Sequence, residues 1–353
     1  MKTTFLIFPF LFFLLIFQSN VYTQSLVDID SMVSADTSKS LFENFVRQEA
    51  LDLILTTDFK KLVKEKKFGL YQPAHLVYYN QDSVKVTLEA SVRARGRSRK
   101  EICSIPPIKI KMNEDHLVEQ GFQLYKTLKM VAPCKGAKSY EKFILKEYLS
   151  YQLLNILTEY SFKTQLVRLH YIDTSGKLKP QTKYAFLIEH EKEMAHRLSA
   201  KVVNISKCPP NKLDKEHANL VYLFQLMIGN TDYKVENVHN LRLLYHEGNT
   251  TFFPVPYDFD YSGLVYASYA IPHESVPIKS VRQRYYFGAC RDLEEMESSI
   301  QIFKNKKEEL LNYCQQFDLL SAKDKSKVIK YLNAFFELIK SEKKLKTLLS
   351  SQC

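Results

Sequence analysis

The most regular hydrophobic pattern in the chain runs over residues 84–95, where Val84, Val86, Leu88, Ala90, Val92 and Ala94 alternate with polar side chains. Period-two alternation of that length predicts a β-strand with one buried and one polar face. Residues 75–79, joined to it through the polar stretch 80–83, predict its hairpin partner, and 108–112 and 124–131 predict third and fourth strands. Before them, 41–67 reads as a helix ending in Lys60, Lys61, Lys64, Lys66 and Lys67, most simply a solvated helix face. A helix is expected over 139–157, followed by a strand pair at 166–173 and 184–189 that turns at 174–177. Helices dominate afterwards: 213–228, apolar enough for a core helix, then 300–311 and 322–349, the last with Val328, Leu332, Phe335 and Ile339 on one stripe. The expected layout is α+β and two-lobed. A twisted antiparallel sheet with one internal helix fills 41–190, and a mainly helical lobe fills 191–353. A cleft between two such lobes is a natural ligand site.

The first residues follow a different logic. Lys2, an uncharged apolar run over 5–17 and a polar exit predict a secretory signal peptide over 1–23, followed by a loose polar leader over 24–40. The run is shorter than the roughly 20 residues that span a bilayer as a helix. No later apolar stretch reaches that length. The mature chain is therefore expected to be secreted, periplasmic or at the cell surface, with no membrane span after cleavage.

Export changes how charge and cysteine are read. The net charge of +11 in 353 residues would suggest nucleic acid in a cytoplasmic protein; outside the cytoplasm an anionic small molecule or surface fits better, and no nucleic-acid partner is expected. Disulfides become permissible for the six cysteines, and no Cys-x-x-Cys or paired histidine spacing points to zinc. If 108–112 pairs antiparallel with 124–131, Cys103 and Cys134 fall at the same end of the sheet. A bridge between them is expected to tether the loop that follows Arg93, Arg95, Arg97 and Arg99.

Three constellations could carry chemistry. The first is the hairpin tip with Arg95, Gly96, Arg97, Ser98 and Arg99, leading to Lys109 and Lys111 on one face of the next strand. Backbone N–H groups, a hydroxyl and guanidiniums suit phosphate, although a basic edge strand that discourages aggregation has the same composition. The second is Glu147, whose neighbours on the helix surface are Tyr140, Phe143, Ile144, Tyr151 and Leu154. A carboxylate so placed is desolvated and needs a cationic partner, for which the sheet lysines are candidates; at the rim of the stripe it would need none. The third joins Asp232, on a loop opened by Gly229, to Asn240 and to Asp258 and Asp260 beyond the next strand. Two carboxylates and an amide oxygen suit Mg²⁺ or Mn²⁺ and a proton acceptor, while each residue alone is also an ordinary turn former.

At these residues the chain resembles the spore-coat CotH kinase family, exported or surface proteins with an atypical protein-kinase-like fold. Arg95-Gly96-Arg97-Ser98 resembles that family's Arg-Gly-Asn-Ser loop, and Lys109 and Lys111 lie as in its lysine-bearing strand. Residues 146–151 are similar to its Arg/Lys-Glu helix, 185–189 to the strand near its lobe junction, and 230–232, 239–240 and 257–260 to its catalytic and metal loops. The resemblance implies an ATP-dependent phosphotransferase. Arg95, Gly96, Ser98, Lys109 and Glu147 would bind nucleotide, with Lys109 on the phosphates and paired with Glu147. Asp232 would be the base, and Asn240 and Asp258 would hold Mg²⁺ or Mn²⁺; Asn237 also lies within reach of the amide role. The expected function is phosphate transfer from ATP to an extracytoplasmic acceptor, an unknown protein or surface component. The rivals are a pseudokinase or binding module that uses a basic cleft for an anionic ligand or surface polymer, and a structural envelope protein.

Overall fold

The fold comes from a computed structural model in which residues 39–350 are described, apart from residue 97 and the side chains of Ser98 and Lys138. The expected signal peptide, and all but the last two residues of the expected leader, lie outside the described residues.

Seven strands form the first half: β1 (Leu51–Thr57), β2 (Gln72–Tyr79), β3 (Lys85–Ala94), β4 (Ile108–Met112), β5 (Thr127–Val131), β6 (Thr164–Asp173) and β7 (Gln181–Ile188). They close into a barrel in the order β1-β2-β3-β4-β5-β7-β6. The closure overturns the expected two-lobed, kinase-like fold with an open twisted sheet. Its cause is β1, which pairs antiparallel with β2 (Leu53 opposite Tyr78) and parallel with β6 (Leu53 opposite Leu169), removing both edges at once. The sequence Leu-Asp-Leu-Ile-Leu-Thr-Thr alternates strictly buried and half-buried. Leu51, Ile54 and Leu55 stand at i, i+3 and i+4 and so also satisfy a helical stripe, which hid the period-two signal inside an expected helix. That stretch is instead α1 (Leu41–Phe45), β1 and α2 (Phe59–Lys64). Ser40 caps α1 reciprocally with Glu43, and Asp58 caps α2.

Inward-facing residues fill the barrel. Leu53, Leu55, Leu76, Leu88, Val92 and Ile110 are fully buried with residues of the other strands, and Phe42, Phe45 and Phe59 from the short helices join the same core. Two short helices, α3 (Ser98–Ile102) and α4 (Glu114–Glu119), interrupt the barrel loops.

Against the outer face lies α5 (Glu141–Leu157), twelve of whose seventeen residues are buried. A helix buried on nearly every side is a central strut, and its other partners come from the second half of the chain. That half holds α6 (Glu191–Arg197), β8 (Lys201–Val203), α7 (Lys215–Ile228), β9 (Leu241–Tyr245), β10 (Phe253–Pro256), α8 (Leu293–Gln316), α9 (Ala322–Lys340) and α10 (Glu342–Ser350). Strands β10, β9 and β8 form a small antiparallel sheet, and α8 packs on α5, α7 and α9. The single helix expected over 322–349 is broken at Ser341, whose backbone leaves helical geometry. The expected disulfide between Cys103 and Cys134 is present, and the Ser104 N–H donates to the Cys134 carbonyl beside it. Among the described residues no helix is long and apolar enough to cross a membrane. A disulfide without such a helix is compatible with export.

Candidate functional site

Four segments converge beside the barrel: α5, the loop carrying α3, the loop after α7 and the loop after β10. Glu147 and Tyr151 stand one turn apart on α5 and are 1% and 0% exposed. The Tyr151 hydroxyl accepts the Asp258 backbone N–H at 2.9 Å, which fixes the acidic loop on the helix. Phe259 anchors that loop further, its ring lying 4.7 Å from Tyr151 and 5.4 Å from Phe224. Asp258 adopts φ +65°, a conformation unusual for a residue with a side chain. Strained backbone of this kind persists only where its surroundings enforce it.

The loop after α7 is shaped by Gly229. It caps the helix at φ +65°, and a Cβ there would lie 2.0 Å from the Tyr331 hydroxyl. Asn230 Nδ2 donates to Gln225 Oε1 at 3.0 Å, and Asn230 Oδ1 accepts the Asp232 N–H at 3.0 Å. Asn240, itself at φ +51°, donates through Nδ2 to the Asp232 carbonyl at 2.7 Å and to Asp232 Oδ2 at 3.1 Å. His239 Nε2 meets the other carboxylate oxygen at 3.1 Å. The Tyr257 N–H donates to the Asn240 carbonyl at 3.1 Å and so joins this loop to the one bearing Asp258 and Asp260. Asp232, Asn240 and Asp258 thus belong to one bonded unit.

The cations do not follow the expected assignment. Glu147 pairs with Arg99, not with Lys109: Arg99 Nη1 lies 3.5 Å from Glu147 Oε2 and 3.5 Å from Asp260 Oδ2, and Nη2 donates to the Ala132 carbonyl at 2.9 Å. No Lys109–Glu147 ion pair occurs among the described residues. Lys109 sits on the barrel's outer face between Arg93 on β3 and Lys129 on β5, directly opposite each in register. The residue that reaches Glu147's surroundings is Lys129. With Arg95, Tyr151, Tyr257 and Asp258 it lines a cavity of about 10 Å³ against Glu147, space for about one water. Gly96 turns the chain at φ +88° just before α3, while Ser98 contributes no described side chain.

The electrostatics follow from crowding in a dry place. Burial, then the Asp258 charge, push the Asp260 carboxyl up to about 7 against the pull of Arg99 and the Tyr269 hydroxyl, which donates to Asp260 Oδ2 at 3.1 Å. Burial and Asp260 hold Glu147 well above the usual carboxylate range despite Arg99. On the opposite side burial, reinforced by Arg95, lowers the Lys129 ammonium to about 8, with Glu191 opposing. Glu191 is itself engaged by Arg242, whose guanidinium stacks on Tyr257 at 4.8 Å.

A divalent cation fits this donor set. Both carboxylate oxygens of Glu147 are buried without a hydrogen-bond partner, and burial together with the neighbouring carboxylates raises the proton affinity of Asp260 and Glu147, the signature of crowded negative charge. Asn240 turns its amide nitrogen to Asp232, which leaves Oδ1 as its donor atom. No group of three or more His, Cys, Asp or Glu side chains is already gathered at metal-binding spacing among the described residues.

Lys129 and Tyr269 were absent from the sequence-based candidates, Arg99 was read as a phosphate contact and not as the partner of Glu147, and Tyr151 and Tyr257 were given no role. Lys129 was accessible in principle, because alternation across Leu128, Lys129 and Met130 puts it on the outer face opposite Lys109. Tyr269 comes from a loop with no periodic signal. A separate cleft of about 1630 Å³ opens against Tyr148, Gln152 and Asn155 on another face of α5 and contains none of these residues.

No protein-family model matches the chain, and no curated protein matches it. A solved structure, a Helicobacter pylori proinflammatory kinase CtkA, is similar at 10% sequence identity over 69% of this chain and 94% of that one, with a TM-score of 0.40. The similarity is distant and assigns the chain to no family.

Proposed function

We propose that the site binds a nucleoside triphosphate with Mg²⁺ or Mn²⁺ and transfers its terminal phosphate to a hydroxyl acceptor outside the cytoplasm. One observation carries the reading: cations on the barrel face, Arg95 and Lys129, share a cavity with Glu147 and Asp258, so phosphate-binding and metal-binding chemistry meet in one place. Phosphoryl transfer asks a protein mainly for positioning and charge neutralisation, which such a juxtaposition supplies. Asp258 and the Asn240 amide oxygen would hold the cation, which would neutralise phosphate charge when bound. Asp232, held by Asn240 and His239, accepts the acceptor's hydroxyl proton as the new O–P bond forms and the bond from the terminal phosphorus to the bridging oxygen breaks. Lys129 and Arg95 take the phosphate oxygens. The cavity has space for about one water and must widen to admit a polyphosphate, although α3 does not line it.

The α3 loop favours a second reading, a phosphate-binding module without transfer. Arg99 already stands between Glu147 and Asp260, where it does part of a metal ion's electrostatic work. Incubation of the purified protein with terminally labelled ATP and either metal separates the two. The first reading expects metal-dependent release or transfer of label that Asp232→Asn removes. No turnover with either metal contradicts it and leaves the module.

A further inference from the structure

The lysine-rich run after β1 finds no role in the site. Residues 59–71 carry five lysines against one acid, Glu65, and end in an apolar tip. Phe68 is 75% exposed, Leu70 63% and Tyr71 40%, values uncommon for large apolar side chains on a soluble surface. Gly69 makes this tip possible: it turns at φ +65°, and a Cβ would press on Arg93 Nη1 at 3.3 Å. The tip is built into the fold at its base. Lys66 Nζ donates to the Glu101 and Cys103 carbonyls at 3.0 and 3.1 Å, Lys100 Nζ to the Lys67 carbonyl at 3.3 Å, and Arg93 lies over the Tyr71 ring at 5.2 Å. Ile102, 47% exposed, therefore joins the same surface from α3.

We propose that this surface docks the protein on an anionic lipid bilayer, with Phe68 and Leu70 inserted at headgroup level and the lysines facing lipid phosphates. Charge complementarity selects that occupant. The exposed Lys60, Lys61, Lys64 and Lys67 flank the apolar tip and, among the described residues, none of the four has a carboxylate partner. A protruding tip suits a fluid interface, whereas a partner protein's apolar segment would need a groove. Tyr71 adds the ring type favoured at membrane–water boundaries. Long lysine stems cover apolar surface while their ammonium groups reach the phosphates.

The test is co-sedimentation of the purified protein with vesicles of phosphatidylcholine alone and of phosphatidylcholine mixed with phosphatidylglycerol. Binding is expected only to the mixed vesicles, and it weakens with added salt as the surface charge is screened. Phe68→Ser with Leu70→Ser should lower affinity at least roughly tenfold, since each side chain loses its apolar burial. Lys60→Gln with Lys64→Gln and Lys67→Gln should lower it by a similar factor and flatten the salt dependence. All five positions are solvent-exposed, so both variants should melt as the wild type does. Absence of binding to the mixed vesicles, undiminished binding by both variants, or capture of an acidic peptide instead of vesicles overturns the proposal.

Discussion

Replacing Asp260 by Asn should stabilise the protein, although it removes a charge from the centre of the site. In the folded chain the carboxyl is displaced from 3.8 to about 7 by burial and by Asp258, with Arg99 only partly compensating. The folded state therefore holds a proton that the unfolded chain releases between pH about 4 and about 7, so stability falls as pH rises through that window and is level above it. At 1.36 kcal/mol per pH unit the displacement corresponds to about 4 kcal/mol by pH 8. Asp260 shares the Arg99 guanidinium with Glu147 and titrates together with it, so the gain for the isosteric amide is about 2–4 kcal/mol. For a chain of this length that is about 3–5 °C in melting temperature. Thermal melts of both proteins across the pH range read the difference directly. The variant should match the wild type near pH 4 and exceed it by that amount at pH 8. A variant that melts lower at pH 8, or differs equally at both ends, refutes the reasoning that the carboxylates strain the fold.

The remaining predictions concern the same loops. Asp232→Asn should slow phosphate transfer roughly 10²–10⁴-fold with nucleotide affinity changed only a few-fold, measured by turnover beside equilibrium binding; undiminished turnover eliminates the base assignment. Lys129→Met should weaken nucleotide binding roughly tenfold or more and Lys109→Met much less, and the reverse ranking in a titration would restore the sequence-based assignment. Cys103→Ser combined with Cys134→Ser opens a loop of 31 residues' separation and should cost about 3–4 kcal/mol. An unchanged denaturant midpoint would show that the bridge does not constrain the unfolded chain.

Much of the architecture was legible where periodicity was unambiguous. The alternation from Val84 to Ala94 gave β3, and the apolar stretch ending at Gly229 gave α7 and its cap. Barrel closure was not legible, because it depends on which strand pairs with which, and the apolar residues of β1 fit both templates: Leu51, Leu53 and Leu55 the extended one, Leu51, Ile54 and Leu55 the helical one. At the site, spacing brought Asp232, Asn240 and Asp258 together because one short hairpin connects them. The partner of Glu147 could not be chosen in the same way. Arg99 and Lys109 are both close in sequence to the turn, and only the tertiary placement of α3, tied down beyond its end by the Cys103–Cys134 bridge, turns Arg99 inward while Ile102 stays exposed. Tyr269 reaches Asp260 through a loop whose path no local pattern encodes.

The central claim is that phosphate-binding cations and metal-binding carboxylates serve one ligand. Calorimetric titration of ATP into the protein, with Mn²⁺, with Mg²⁺ and with neither, beside the Asp258→Asn variant, tests it most directly. The account predicts binding that requires a metal and weakens at least roughly tenfold in the variant, a loss in the range of one charge-assisted contact. No binding at millimolar nucleotide with either metal, or binding indifferent to both metal and Asp258, would contradict it.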